Sequence, residues 1–331
     1  MVAFVAMVAS AAVSRTSGLG LADIGTLTIK LFNSSTLDPT DQHTLDILWQ
    51  IRLPRLCAAA MCGIALAVAG VIVQGVFRNP LGSPSLLGIE SGGALAAVLV
   101  FYLGFGKLSL WTVPIAALIG AGVTMAIILT LARKNPSWPI EHFVLTGFAL
   151  NAIQLALTSL LVALVLEQHA QGTAVLQWMF GTLQSRGWEH VLLGLPLLII
   201  GIFMSIRLAN RLDTLSLGEE VTTSLGIDVQ KLRQQAIVAA ALLVGSAISI
   251  AGTIPFVSLV VPHLTRSIQG PSHRKLLIGA ALNGVTVLVL ADLIARTIRH
   301  PAELELGIVT TLVGTPLFLW MLIGRRRGRS A

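Results

Sequence analysis

Long apolar runs separated by short polar connectors dominate this sequence. They fall at about 1–14, 56–77, 86–103, 111–131, 143–166, 190–206, 235–251, 254–264, 276–295 and 307–323. A helix needs about 20 apolar residues to cross the hydrocarbon core of a bilayer. Most of the runs approach that length; the first and eighth are short. A strand barrel would instead show short segments of alternating hydrophobicity. The pattern predicts an all-α polytopic membrane protein of about ten transmembrane helices. The eighth run, Pro255–Pro262, is bracketed by prolines and reads as a broken, re-entrant-like helix packed within protein. Residues 15–50 and 167–189 read as the longer loops.

One connector breaks the pattern. Residues 211–233 read RLDTLSLGEEVTTSLGIDVQKLR, a polar island between two apolar walls. Ser216 and Glu219 have capping-box spacing, and Gly226 follows Leu225 where a C-terminal glycine cap would sit. Asp228 is placed to cap a second helix. Leu217, Val221, Leu225 and Ile227 give the first helix an apolar side that its own loop does not cover. A short amphipathic helix offered to water by a membrane protein points to a partner.

Composition agrees with the membrane reading. The 331 residues are 55% hydrophobic and 11% charged, against about 25% charged in globular proteins. The net charge of +7 is a matter of loops and orientation rather than of nucleic acid. With ten spans and both termini in the cytoplasm, 14 of the 22 lysines and arginines fall on the cytoplasmic side. The positive-inside rule favours that orientation, and it puts the polar island in the cytoplasm. Cys57 and Cys62 face roughly 140° apart on a helix of 3.6 residues per turn, so they read as small buried apolar residues rather than a disulfide or metal pair. Met1–Val13 lacks the basic flank of a signal peptide and reads as the first span. Trp49, Trp178 and Trp188 suit membrane interfaces, and Gly88 and Gly92 form a GxxxG match.

Catalytic motifs are missing. Gly104-Phe105-Gly106-Lys107-Leu108 lacks the glycine spacing and the Ser/Thr of a phosphate-binding loop, so any ATP chemistry belongs to another chain. There is no HExxH, CxxC or GxSxG, and His263 reads as a structural histidine. No metal or cofactor is expected. Asp292 lies near the end of the ninth span, one turn before Arg296. It reads as half of an i,i+4 ion pair, although an acidic residue in a span is also a candidate functional group.

Several segments, in order from about residue 50 to the end, resemble one family. They are Arg52-Leu-Pro-Arg55, then GIALAVAGVIVQGVFRNPLGSPSLLGIESGGAL at 63–95, LTGFAL at 145–150 and QWMFGTL at 177–183. LSLGEEVTTSLGI at 215–227, GTIPFVSLVVPHLTR at 252–266, LADLIAR at 290–296 and ELELGIVTTLVGTPLFLWML at 303–322 complete the set. The family is the permease subunits of ABC importers for iron-siderophores, haem and cobalamin. The resemblance implies one permease domain, 1–331, working as a homodimer or as a heterodimer with a sister permease in the bacterial inner membrane. Two ATPase subunits would dock on the cytoplasmic side and a solute-binding protein on the external side. It implies that the segment between spans six and seven forms short coupling helices, with Leu217, Gly218, Glu219, Glu220, Leu225 and Gly226 contacting or shaping the ATPase joint. It implies that Arg52, Arg55 and Arg296 receive glutamates of the binding protein. The competing class is an ion-coupled secondary transporter needing no ATPase, with Asp292 and Glu90 as ion or relay sites. Such transporters show inverted repeats and paired broken helices; one broken segment and no clear repeat are present.

Overall fold

A computed structural model describes residues 38–135, 140–166, 169–298 and 303–327. The expected first span, 1–14, lies outside them. Among the described residues there are no strands. A short helix α1 (Pro39–Ile47) passes through a π turn at Leu48–Arg52 into α2 (Leu53–Val76). There follow α3 (Ile89–Tyr102), α4 (Thr112–Lys134), α5 (Ile140–Leu166), α6 (His169–Met179), α7 (Trp188–Ser216), α8 (Glu219–Ser224), α9 (Val229–Ala251), α10 (Val257–Gln269), α11 (His273–Ile298) and α12 (Leu306–Arg327). Among the described residues, six helical stretches are long and apolar enough to cross a membrane: α1–α2 together, α4, α5, α7, α9 and α11. Two shorter ones, α3 and α12, are also apolar.

The bundle is built around α2 and α9. α2 packs on α11, α9, α7 and α10, and its sequence allows this. Ala58, Cys62, Ala65, Ala67 and Ala69 are fully buried small residues, and small residues let helix backbones approach closely. α2 and α11 cross at Gly63 and Gly284, where a methyl on either glycine would overlap the other's carbonyl. Cys62 fills core space as expected, its thiol 3.7 Å from the carbonyl of Ala247, and both cysteines are free.

The structure departs from the sequence reading at four places. The first loop is helical where it is described. Asp38 and Asp41 form a capping box and Pro39 occupies the first turn, so the chain enters α2 through a helix. The second loop contains α6. Pro262 does not end the eighth segment, because α10 continues through it to Gln269. Gly88 and Gly92 do not act as a pair. Gly88 takes a left-handed conformation (φ +71°) that caps the start of α3, while Gly92 packs α3 onto Gly120 and Thr124 of α4.

Non-helical backbone inside the bundle finds partners, as it must where water is scarce. Thr182 N–H donates to the carbonyl of Ala251 (2.8 Å). Leu306 and Gly307 N–H donate to the carbonyls of Gly181 and Phe180 (2.8 Å each). The α6–α7 connection thus ties the end of α9 to the start of α12.

Candidate functional site

At one end of the bundle the α7–α8–α9 connection forms a rigid knuckle. α7 runs through Ser216, so Ser216 does not cap α8; its hydroxyl donates to the carbonyl of Asp213 (2.6 Å). The reason is Gly218. Its φ of +125° and ψ of 156° lie in a region open essentially to glycine alone, and there the chain leaves α7 and starts α8. The far end of α8 is capped as a Schellman motif. Gly226, at φ +77°, donates to Thr223 O (2.9 Å), and Ile227 N–H donates to Thr222 O (3.2 Å). Asp228 then caps α9, its Oδ1 accepting from Lys231 N–H (2.9 Å).

The inner side of α8 is anchored. Thr222 is fully buried and donates to the carbonyls of Gly218 (2.6 Å) and Thr214 (3.2 Å). Glu219 pairs with the buried Arg233 of α9 and, at 3.5 Å, with Arg78. Arg78 itself takes a positive φ (47°) in the turn after α2. The outer side is bare: Leu217 is 69%, Val221 42% and Leu225 64% exposed, with Glu220 exposed beside them. The fourth apolar residue, Ile227, packs on the core instead. Of the six residues picked from sequence, Leu217, Glu220 and Leu225 form the presented surface. Gly218, Glu219 and Gly226 shape and hold it.

At the opposite end, α2 and α11 bring charges together. Arg55 donates from Nε and Nη2 to Asp292 Oδ1 (3.0 and 2.7 Å), and from Nη1 and Nη2 to Glu303 (3.0 and 2.8 Å). Arg296 Nε lies 3.2 Å from Asp292 Oδ2, the expected i,i+4 pair. This contact is an ion pair by distance without hydrogen-bond alignment. Arg52 sits one helical turn before Arg55 and is buried. The three arginines therefore do converge, but as members of a largely buried ion cluster rather than as fixed charges on a free surface. The missed signals were Glu303, which folds back from the start of α12, and the long-range role of Asp292. Asp292 bridges two helices where it had been assigned one neighbour. Glu90 lies apart on α3.

The tryptophans are sorted by packing. Trp49 and Trp188 meet with ring centroids 5.5 Å apart, and Trp188 Nε1–H donates to Trp49 O (2.9 Å). Trp178 is buried and is not an interfacial residue.

A helical bundle with several helices apolar enough to cross a membrane, a capped amphipathic knuckle at one end and an arginine cluster at the other is the architecture of a polytopic membrane protein. Residues 3–324 match the FecCD transport family, and the chain belongs to that family. The hemin transport system permease protein HmuU of Yersinia pestis is 37% identical, over 94% of this chain and 93% of its own length. The Fe(3+) dicitrate transport system permease protein FecD of Escherichia coli K12 is 38% identical, over 85% and 86%. A vitamin B12 import system permease protein, BtuC of Yersinia pseudotuberculosis, is 38% identical, over 83% and 81%. The solved structure of a protein described as a metal-chelate type ABC transporter, inward-facing, aligns with a TM-score of 0.85 at 29% identity, over 98% of this chain and 96% of that one. PsaBC of Streptococcus pneumoniae shares the fold at a TM-score of 0.57 and 18% identity, over 89% and 94%. The chain is an ABC importer permease of the metal-chelate type.

Proposed function

We propose that this chain is the membrane-spanning subunit of an ATP-driven importer in the bacterial inner membrane, and that its cargo is an iron-siderophore complex, with haem and cobalamin the next classes. The whole chain acts as one permease unit of ten spans with both termini in the cytoplasm. Two copies, or this chain and a sister permease, enclose the path. Two ATPase subunits dock on the cytoplasmic side and a solute-binding protein on the external side. The relatives named for hemin, ferric dicitrate and vitamin B12 support the cargo classes.

The observation that carries this reading is the bare apolar edge of α8. Leu217, Val221 and Leu225 keep about half or more of their surface in the open, and burying that remainder would contribute about 1 kcal/mol or more each. A helix anchored through Thr222 and Glu219 moves with α7 and α9, so a partner gripping that edge moves the bundle. ATP biases the transporter only through a difference in how its states hold this joint. The test is co-purification of the cognate ATPase with Leu217→Ser/Leu225→Ser. Loss of the ATPase with an intact thermal unfolding midpoint supports the coupling role. Undiminished co-purification overturns it.

At the other end, the proposed docking of the binding protein falls on Arg52, Arg55 and Arg296. Three arginines gathered with Asp292 and Glu303 make this end of the bundle rich in cationic groups, which suits an acidic partner. Such charge complementarity sets association rate and register more than affinity. Arg52→Gln/Arg296→Gln should slow docking most at low salt.

A further inference from the structure

The geometry points to a pocket for a small carboxylate-bearing ligand anchored by Arg186, at the end of the bundle opposite α8. A cavity of about 280 Å³ lies between the α6–α7 connection and the turn joining α3 to α4, with Ser109, Gln177, Gln184, Ser185, Arg186 and His190 among its walls. A water molecule's share of liquid is about 30 Å³, so the space fits a polyatomic ligand. Arg186 is the cation of this cavity, and its protein partners are weak ones. Nε donates to Thr182 O at 3.4 Å and Nη1 meets His190 Nε2 at 3.0 Å. The neighbouring Glu189 is spent on the other side of the same ring, at 3.1 Å from His190 Nδ1. That arrangement makes His190 a neutral imidazole with the proton on Nδ1, accepting from Arg186 at Nε2.

Among the described residues no carboxylate lies within ion-pair distance of Arg186, in contrast to Arg55, Arg78, Arg233 and Arg296. A largely buried guanidinium held by a carbonyl and an imidazole, with Glu189 acting on it only from across the His190 ring, has its charge compensated in part, and burial of such a charge is costly. Its planar donor fork matches a carboxylate. The amides of Gln177 and Gln184 and the hydroxyls of Ser109 and Ser185 supply further donors. Ser185 is held at φ +57° on this wall, a conformation that persists only where its surroundings fix it. The ligand is a small molecule and not a partner's side chain because the guanidinium is recessed. Arg186 forms part of the wall of the cavity and is only partly exposed. The inference stands independently of the cargo assignment.

The test is thermal unfolding of the purified full chain in detergent, titrated with sodium citrate against sodium chloride of equal ionic strength. Citrate should raise the midpoint saturably by a few degrees and chloride should not. Arg186→Gln should abolish the shift. Gln177→Glu keeps Arg186 and places a negative charge on the wall, and should weaken citrate at least tenfold; it also serves if Arg186→Gln does not fold. An equal citrate shift in the variants, or no saturable shift in the wild type, overturns the pocket. A shift with inorganic phosphate alone overturns the carboxylate assignment. Loss of binding-protein docking in Arg186→Gln, with no citrate effect in the wild type, overturns it in favour of a docking contact.

Discussion

Removing the carboxylate of Asp292 would leave the guanidiniums of Arg55 and Arg296 facing each other in a site that is only 4% exposed at Asp292. Breaking a buried ion pair by deleting one partner costs about 3–5 kcal/mol, because the survivor stays desolvated and uncompensated. Asp292→Asn should therefore lower the thermal midpoint strongly. Glu303→Gln should cost less, since Glu303 is 22% exposed at the rim and water can replace it. Equal losses for the two would show that the cluster is uniformly wet. Gly218 makes the complementary point about backbone. A Cβ there would meet nothing within 4 Å, so Gly218→Ala is limited by φ +125° alone. Strain of that kind costs about 1–3 kcal/mol. It is expected to disorder the α7–α8 turn and to uncouple ATP hydrolysis from uptake, leaving the bundle's unfolding midpoint within about a degree. A variant that keeps coupled transport would mean that the turn has a second backbone solution.

At the scale of the element, Glu219 and Glu220 separate although the sequence sets them side by side. Glu219 points back to Arg233 and Arg78, whereas Glu220 faces outward. Glu219→Lys should melt α8 and raise hydrogen exchange across residues 217–227, while Glu220→Lys should leave exchange unchanged and weaken only ATPase binding. Matching exchange profiles for the two would erase the distinction. Much of α8 was legible in the sequence: Gly226 and Asp228 were identified as caps, and Leu217, Val221 and Leu225 as an uncovered face. Ser216 was not, because capping-box spacing is a local pattern and an upstream helix can run through it when a residue such as Gly218 makes the break. The arginine cluster was half legible for a related reason. The turn-spaced pair Asp292 and Arg296 is a local signal, but Glu303 reaches Arg55 across 248 positions, which no local pattern carries. α1 and α6 were missed because hydropathy marks spans, and these helices rest on capping and on contacts outside them.

Across the whole molecule, burial divides the helices into two kinds. The most apolar windows of α2 and α9 are 78% buried, whereas that of α5 is 17% buried. Lipid alone would explain exposed leucines on α5, such as Leu145, Leu155 and Leu160. It does not explain Ala149, Ala152, Ala156, Ser159 and Ala163, which are exposed at spacings of three and four. Lipid tails gain nothing from small side chains, but a second helix does, since small residues allow backbones to approach and pack. The buried stripe of α5, Phe143, Gly147, Gln154, Thr158 and Val165, already faces this chain's own bundle. The small stripe is therefore open to a second permease subunit in the proposed dimer. With Cys57→Ser as background, Ala156→Cys should cross-link across a two-fold axis or to a sister subunit in membranes, with Leu155→Cys cross-linking less. Ala152→Leu/Ala156→Leu should shift the purified permease toward monomer while each subunit keeps its helical content. If the bulky variant stays fully dimeric and Leu155→Cys cross-links as well as Ala156→Cys, α5 faces lipid and the seam must lie on the other open apolar face, that of α12 around Leu312, Leu319 and Trp320.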